Sequence, residues 1–361
     1  MTAAADDRAL RSSRAAGQLL AGSPARSAAE VAGRLLAVQA QNLRSARLAV
    51  RARTAGLTAA DVNRELEQRS VVIAWLCRGT LHLVRREDYP WLLSLTAPGL
   101  FTGNRTRLAQ LGFSPDRSQR AVALIERELA GGPLTRAELR QVLARAGVAA
   151  DGQAMVHLLF LASLHGGVIR GPFRGGEQAW VLTRDWLGAA PDLDEHAERR
   201  PAALAELARG YLRGHGPASA ADLAVWSGLP LRDARAGLEE IAGELRDVPG
   251  GRVRLAGPAA RPRKLPPRLL PSFDPYLLGW ADRAFAVPAD RHDGMRSGGI
   301  IRAAAIVAGF AVGTWDAPRA GRRVTVRLDL WGSVSATERA ALRAEADDVV
   351  RFEAAASGGA V

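Results

Sequence analysis

Apolar and polar positions alternate along this chain in a pattern that repeats. A helical stretch from Ser118 to Ala130 closes at Gly131-Gly132-Pro133. Leu134-Thr135-Arg136-Ala137-Glu138-Leu139 then predicts a second helix, with Thr135 as its cap and Glu138 reaching back to it. A mostly apolar third helix is predicted from about Gln153 to Leu164. Gly166–Gly171 and Gln178–Leu182 follow as two alternating strands around a glycine-rich tip. The same order returns between 199 and 256: a helix over 201–213, a second opened by Ser219-Ala220-Ala221-Asp222-Leu223, a third from Pro230 to Leu245, and a short hairpin from Asp247 to Leu255. Three helices and a hairpin are the order of a winged helix-turn-helix. The first 95 residues read as a more divergent copy, with helices at Ser27 to Ala37 and Leu57 to Leu66 and a strand at Thr80-Leu81-His82-Leu83-Val84.

The tail differs. Residues 257–268 are proline-rich and read as a linker. Strand-like runs follow at Leu269 to Phe273, Phe310 to Trp315 and Val324 to Leu328, with a basic hairpin tip from Asp316 to Arg323 and a last helix over about 336–354. The expected fold is α+β: tandem winged helix-turn-helix domains at 1–115, 116–195 and 196–260, then a small β-rich domain at 261–361. A length of 361 residues fits two or three domains.

Charge narrows the partners. Lys+Arg 49 against Asp+Glu 37 gives a net charge of +12, which favours a polyanion, nucleic acid first. Nearly all of that charge is arginine, Lys264 being the one lysine. The greasy stretches 155–164 and 300–313 are too short or interrupted to span a membrane, and the N-terminus lacks the pattern of a signal peptide. A cytoplasmic, nucleoid-associated monomer is expected. Cys77 alone excludes an intramolecular disulfide and any multi-cysteine zinc site, so neither metal nor cofactor is expected.

HExxH, GxSxG and Walker patterns are missing, and the six histidines offer no i, i+4 pair, which disfavours a metal or serine-triad hydrolase. One spacing carries chemistry: Val38-Gln39-Ala40-Gln41-Asn42. On a continuing helix Gln39 and Gln41 would point about 200° apart. In an extended segment they share a face, with Val38 and Ala40 turned the other way. Two convergent carboxamides can orient a water by donating and accepting hydrogen bonds; surface glutamines near a helix end are the alternative. Arg78-Gly79-Thr80-Leu81-His82-Leu83 puts Thr80 and His82 on one strand face, either meeting phosphate or base edges or simply facing water. Leu270 to Arg283, with Asp274-Pro275 at a turn start, reads on its own as loop and packing.

Together, Val38-Gln39-Ala40-Gln41, Arg78-Gly79-Thr80-Leu81-His82 and Leu270-Pro271-Ser272-Phe273-Asp274-Pro275-Tyr276-Leu277-Leu278-Gly279 resemble the AlkZ/YcaQ-like family of winged-helix DNA glycosylases. With the tandem units, the likeness covers nearly the whole chain. It implies a monofunctional glycosylase that holds duplex DNA on a concave basic surface. The implied substrates are N-alkylated purines, including bulky N7-guanine adducts and interstrand crosslinks, in DNA repair or self-resistance to a DNA-alkylating natural product. The family's catalytic motif is Gln-x-Gln in one branch and Gln-x-Asp in the other; Gln39 and Gln41 match the first. Neutral amides suffice for an N7-alkylguanine because its positive charge already weakens the glycosidic bond, and each tenfold in rate needs only about 1.4 kcal/mol of transition-state stabilisation. Expected DNA contacts are Asn42, Arg44, Arg78, Thr80 and His82, with Arg319, Arg322 and Arg323 as a minor-groove or phosphate probe. With aromatics at 5% and none close to Gln39–Gln41 in sequence, bulky adducts are expected to be accommodated without full extrusion. With no lysine near the motif, a Schiff-base lyase step is not expected. The competing class is a non-catalytic winged-helix transcription regulator, which would bind one site tightly and release no base; a protein-binding scaffold would show little salt-dependent DNA affinity.

Overall fold

The structure is a computed structural model that describes residues 2–257, 265–321 and 323–354. The glutamine motif is delivered by a short helix, Ala28–Leu35, that ends abruptly. Ser27 caps its start, accepting from the Glu30 amide, and Leu36 ends it in a left-handed-side conformation at φ 66°. The chain then runs extended as the strand Val38–Gln39, which pairs antiparallel with Leu81–Arg85; that central strand pairs on its other side with Val71–Trp75. Asn42 opens the next helix, Leu43–Arg51, by accepting from the Ser45 amide at 3.0 Å.

The repeating order appears in the observed elements. Helices Pro115–Leu129, Arg136–Arg145 and Gln153–Leu164 precede the hairpin Val168–Arg174/Glu177–Leu182. Helices Arg200–His215, Ala220–Ser227 and Leu231–Glu240 precede the hairpin Leu245–Val248/Arg252–Leu255. Capping boxes open the second helix of each: the predicted one of Thr135 with Glu138, and a second, of Ser219 with Asp222, where the sequence marked only a helix start. Among the described residues, six helices were not anticipated: Thr2–Gly17, Leu43–Arg51, Tyr89–Gln110, Thr183–Leu187, Leu193–Glu198 and Pro275–Leu278.

The last part is built on a four-stranded antiparallel sheet in the order Arg327–Leu330, Phe310–Asp316, Ala304–Val307, Arg268–Leu270. The expected strand from Val324 to Leu328 is divided: Arg323–Val324 pairs with Arg319–Ala320 in the basic hairpin, and Arg327 enters the main sheet. The closing helix is Ala336–Ala354. Most of the expected linker, with Lys264, and Arg322 in the hairpin lie outside the described residues.

Two contacts fix the glutamine motif against the rest. Helix Arg200–His215 crosses Ala28–Leu35 at Gly210 and Gly214; a Cβ at 214 would lie 2.6 Å from the Arg34 carbonyl oxygen and 3.0 Å from the Leu35 Cα. On the other side, helix Leu43–Arg51 is pinned to the closing helix by ion pairs: Arg51 reaches Glu345 at 3.0 Å and Asp348 at 2.9 Å, and also the Leu269 carbonyl at 2.8 Å. No described helix is long and apolar enough to cross a membrane.

Candidate active site

The extended stretch after Leu36 produces the expected alternation: Val38 and Ala40 are buried, Gln39 is half-buried and Gln41 exposed. Ala40 donates its backbone N–H to Leu81 at 2.7 Å. The reciprocal bond is replaced, because the Leu81 N–H donates instead to Oε1 of Gln41 at 3.1 Å. The strand pair ends there, its last acceptor a side chain. Gln39 receives Nη2 of Arg78 on its Oε1 at 3.1 Å. A backbone N–H and a guanidinium can only donate, so both glutamine oxygens are fixed as acceptors and each Nε2 group is turned away from its partner.

Opposite Gln39 stands His82, its cross-strand partner. The Ala40–Leu81 bond makes 39/82 a pair without backbone hydrogen bonds, so the two side chains lie close on one sheet face. His82 is 1% exposed, its Nδ1 lying 2.9 Å from the Thr80 carbonyl. Burial, then the Arg78 charge, depress its pKa to about 3, against the smaller opposing effect of that hydrogen bond, so the imidazole is neutral. Cys77 is buried in the same turn, which pushes its thiol up to about 11.

The expected DNA contacts fall into two groups. Asn42 is exposed, with its oxygen committed to capping, and Thr80 is half-buried, its hydroxyl donating to the Cys77 carbonyl. Arg323 is exposed at the hairpin. The others have partners within the protein: His82 is buried, Arg44 and Arg78 are half-buried, and Arg319 is exposed. Burial takes His82 away from a direct contact. Arg78 donates to Gln39 and to the Trp226 carbonyl. Arg44 grips Glu353 through Nε at 2.8 and 2.9 Å, and Arg319 reaches the same carboxylate at 3.5 Å and the Glu353 carbonyl at 3.2 Å. Glu353 was not found in the sequence, where 309 residues separate it from Arg44. Its side chain is only 5% exposed, so Glu353→Ala should take from Arg44 its carboxylate, leave Arg319 only the backbone carbonyl, and cost about 1–3 kcal/mol. A shift of the urea midpoint checks this; an unmoved midpoint would mean the clamp holds nothing.

The third motif also acquires a role. Asp274 receives both terminal nitrogens of Arg53, at 2.8 and 2.9 Å, with both side chains fully buried, and caps the short helix Pro275–Leu278. Arg53 lies just beyond helix Leu43–Arg51, so this pair ties the motif-bearing segment to the C-terminal sheet. Gly279 admits His215: a Cβ there would sit 2.4 Å from the imidazole Cδ2.

Gln39 on its short strand and Gln41 just beyond it stand beside a buried neutral histidine, on a basic chain of repeated helical units. The chain belongs to the DNA glycosylase AlkZ-like family, which it matches over residues 32–352. It is a DNA glycosylase, a hydrolase of N-glycosyl bonds. It is 30% identical over 312 residues to an interstrand DNA cross-link repair glycosylase of Streptomyces sahachiroi, covering 80% of this chain and 82% of that protein. It also superposes on the solved Streptomyces sahachiroi DNA glycosylase AlkZ with a TM-score of 0.74 at 26% identity, covering 96% of each chain.

Proposed function

We propose that this monomeric glycosylase releases N-alkylated purines, N7-alkylguanine and its bulky or crosslinked forms among them, from duplex DNA, with Gln39 and Gln41 as its catalytic residues. The observation that carries this reading is the paired commitment of the two amide oxygens, Gln39 to Arg78 and Gln41 to the Leu81 N–H, which leaves each Nε2 group to serve as a neutral donor. A water held there accepts from Nε2 and donates to the remaining lone pair of an amide oxygen. The bond from C1′ to the base nitrogen breaks with its electron pair returning to the cationic purine, which leaves neutral. Water adds to C1′ and its proton goes to solvent, since no amide can keep it. An undamaged purine has no such charge to neutralise and stays in place.

The three helix-and-hairpin units would act as winged helices holding the duplex backbone, with the basic hairpin Arg319 to Val324 entering a groove. The openness of the face at Gln41 and Asn42 supports accommodation of large adducts without full extrusion. Activity on crosslinks is proposed because the Streptomyces relative is a cross-link repair glycosylase.

The test is base release from a duplex carrying one N7-alkylguanine, read as alkali-sensitive cleavage. Gln39→Ala and Gln41→Ala should each lower the rate about 100-fold or more, the scale of removing one oriented donor at a reacting centre, while DNA affinity stays within a factor of two. Binding without release by the unaltered protein, across methyl and bulky adducts, would transfer the reading to a regulator.

A further inference from the structure

Arg78 occupies a position that a phosphate contact does not require. It lies inside the tight turn Cys77–Gly79 with φ 58° and ψ 14°, the left-handed region that a long side chain rarely adopts. That conformation directs its guanidinium across the gap between two parts of the chain. Nη2 donates to Oε1 of Gln39, and Nη1 donates to the carbonyl of Trp226. Trp226 lies in the last turn of helix Ala220–Ser227, where carbonyls have no partner within the helix and a cation is favoured by the helix dipole. Gly228 follows at φ 78°, so close that a Cβ there would lie 3.0 Å from the Arg78 nitrogen and 3.2 Å from its Cα. The backbone of the third helical unit is thus seated on the Arg78 turn, and the side chain joins that unit to Gln39.

The two glutamines are held differently. Gln41 is oriented by a backbone N–H, from Leu81, that no substitution at 81 other than proline removes. Gln39 is oriented by a side chain. The terminal torsion of a glutamine is broad and roughly two-fold, so an amide without a directing partner exchanges its oxygen and nitrogen. A donor-only group on one side breaks that degeneracy.

We infer that Arg78 is a positioning residue: it fixes the Gln39 carboxamide with Nε2 toward the substrate, and couples that orientation to the docking of helix Ala220–Ser227. This rests on the reading of Gln39 as catalytic. Replacing Arg78 therefore slows base release at saturating enzyme without weakening DNA binding. A phosphate contact would behave in the opposite way, lowering affinity and reducing the slope of log K against log salt by about one.

The experiment compares single-turnover release and salt-dependent DNA affinity for the unaltered enzyme, R78M, R78K, Q39A and R78M/Q39A, with thermal unfolding of each. R78M is expected to lower the rate about tenfold or more, with affinity and salt slope unchanged. The double variant should be no slower than Q39A, because Arg78 acts through that amide. R78K keeps the charge but not the planar fork that serves two carbonyls; it should lose rate while keeping the salt slope, and it decides the matter if R78M does not fold. Normal rates in R78K and R78M beside a collapsed Q39A, or a loss confined to affinity and slope, overturn the inference alone. A Q39A variant with full activity overturns the catalytic reading itself.

Discussion

Asp274→Ala is expected to lower the unfolding free energy by about 3–5 kcal/mol, because it strands a buried arginine rather than merely removing a bond. Arg53 and Asp274 are both inaccessible, and their two hydrogen bonds are the bidentate arrangement that compensates charge burial best. Without the carboxylate, Arg53 keeps the Ala49 carbonyl and the Gln18 amide oxygen, two neutral acceptors, while its Nε already has none among the described residues. The substitution also removes the cap on Pro275–Leu278. Against a usual total of about 5–15 kcal/mol, the loss should show as a large fall in the denaturant midpoint and in soluble yield. The comparison that isolates the charge is R53M/D274L. If desolvation is the cost, the apolar pair should be more stable than D274A despite carrying two changes. A loss under about 1 kcal/mol in D274A would mean water reaches Arg53 and the pair is not dry.

This pair also shows what the sequence could and could not reveal. The stretch around Asp274 reads as a turn start, which is correct locally, since Asp274 caps a helix. Its ion pair joins positions 221 apart, and no local pattern announces that. The arginines follow the same rule. Arg44, Arg78 and Arg319 look like free cations because their partners Glu353 and Trp226 lie far away or very near only in space. Local chemistry was legible: the cap at Thr135, the helix start at Ser219, and the alternation of buried Val38 and Ala40 with Gln39 and Gln41 each follow from neighbours within a few residues. Helix Leu43–Arg51 was missed because its cap, Asn42, was assigned to DNA instead. Helix Tyr89–Gln110 carries Pro98 inside it and buries residues on several sides, so neither continuity nor an amphipathic stripe marked it.

Acid should unfold this protein through its histidines before its carboxylates dominate. His82 and His215 are both fully buried, and each is depressed to about 3, mainly by burial. At His215 the Tyr211 carbonyl opposes that effect, while Arg53, Arg14 and Arg78 add to it. The ring lies stacked on Tyr211 at 4.7 Å, beside Trp226 and Trp280, and its Nε2 has no partner among the described residues. An unfolded histidine titrates near 6.5, so between that value and about 3 the unfolded chain carries a proton at each site that the folded chain does not. The stability these groups provide is complete above about pH 7 and falls as pH drops through 6.5. At pH 5 each site should have lost about 2 kcal/mol, and the pair about 4 kcal/mol, relative to pH 7.5. His157 and His165, also shifted down by burial, act in the same direction. Urea unfolding at a series of pH values should therefore show a slope near two protons between about pH 4 and 6 from this pair alone. His82→Asn and His215→Asn would each start less stable at pH 7.5 yet lose about one proton of that slope. If both variants kept the full slope, the imidazoles would have to protonate inside the folded protein. For His82 that would place a cation across the strand from Gln39 and beside the positive charge of Arg78.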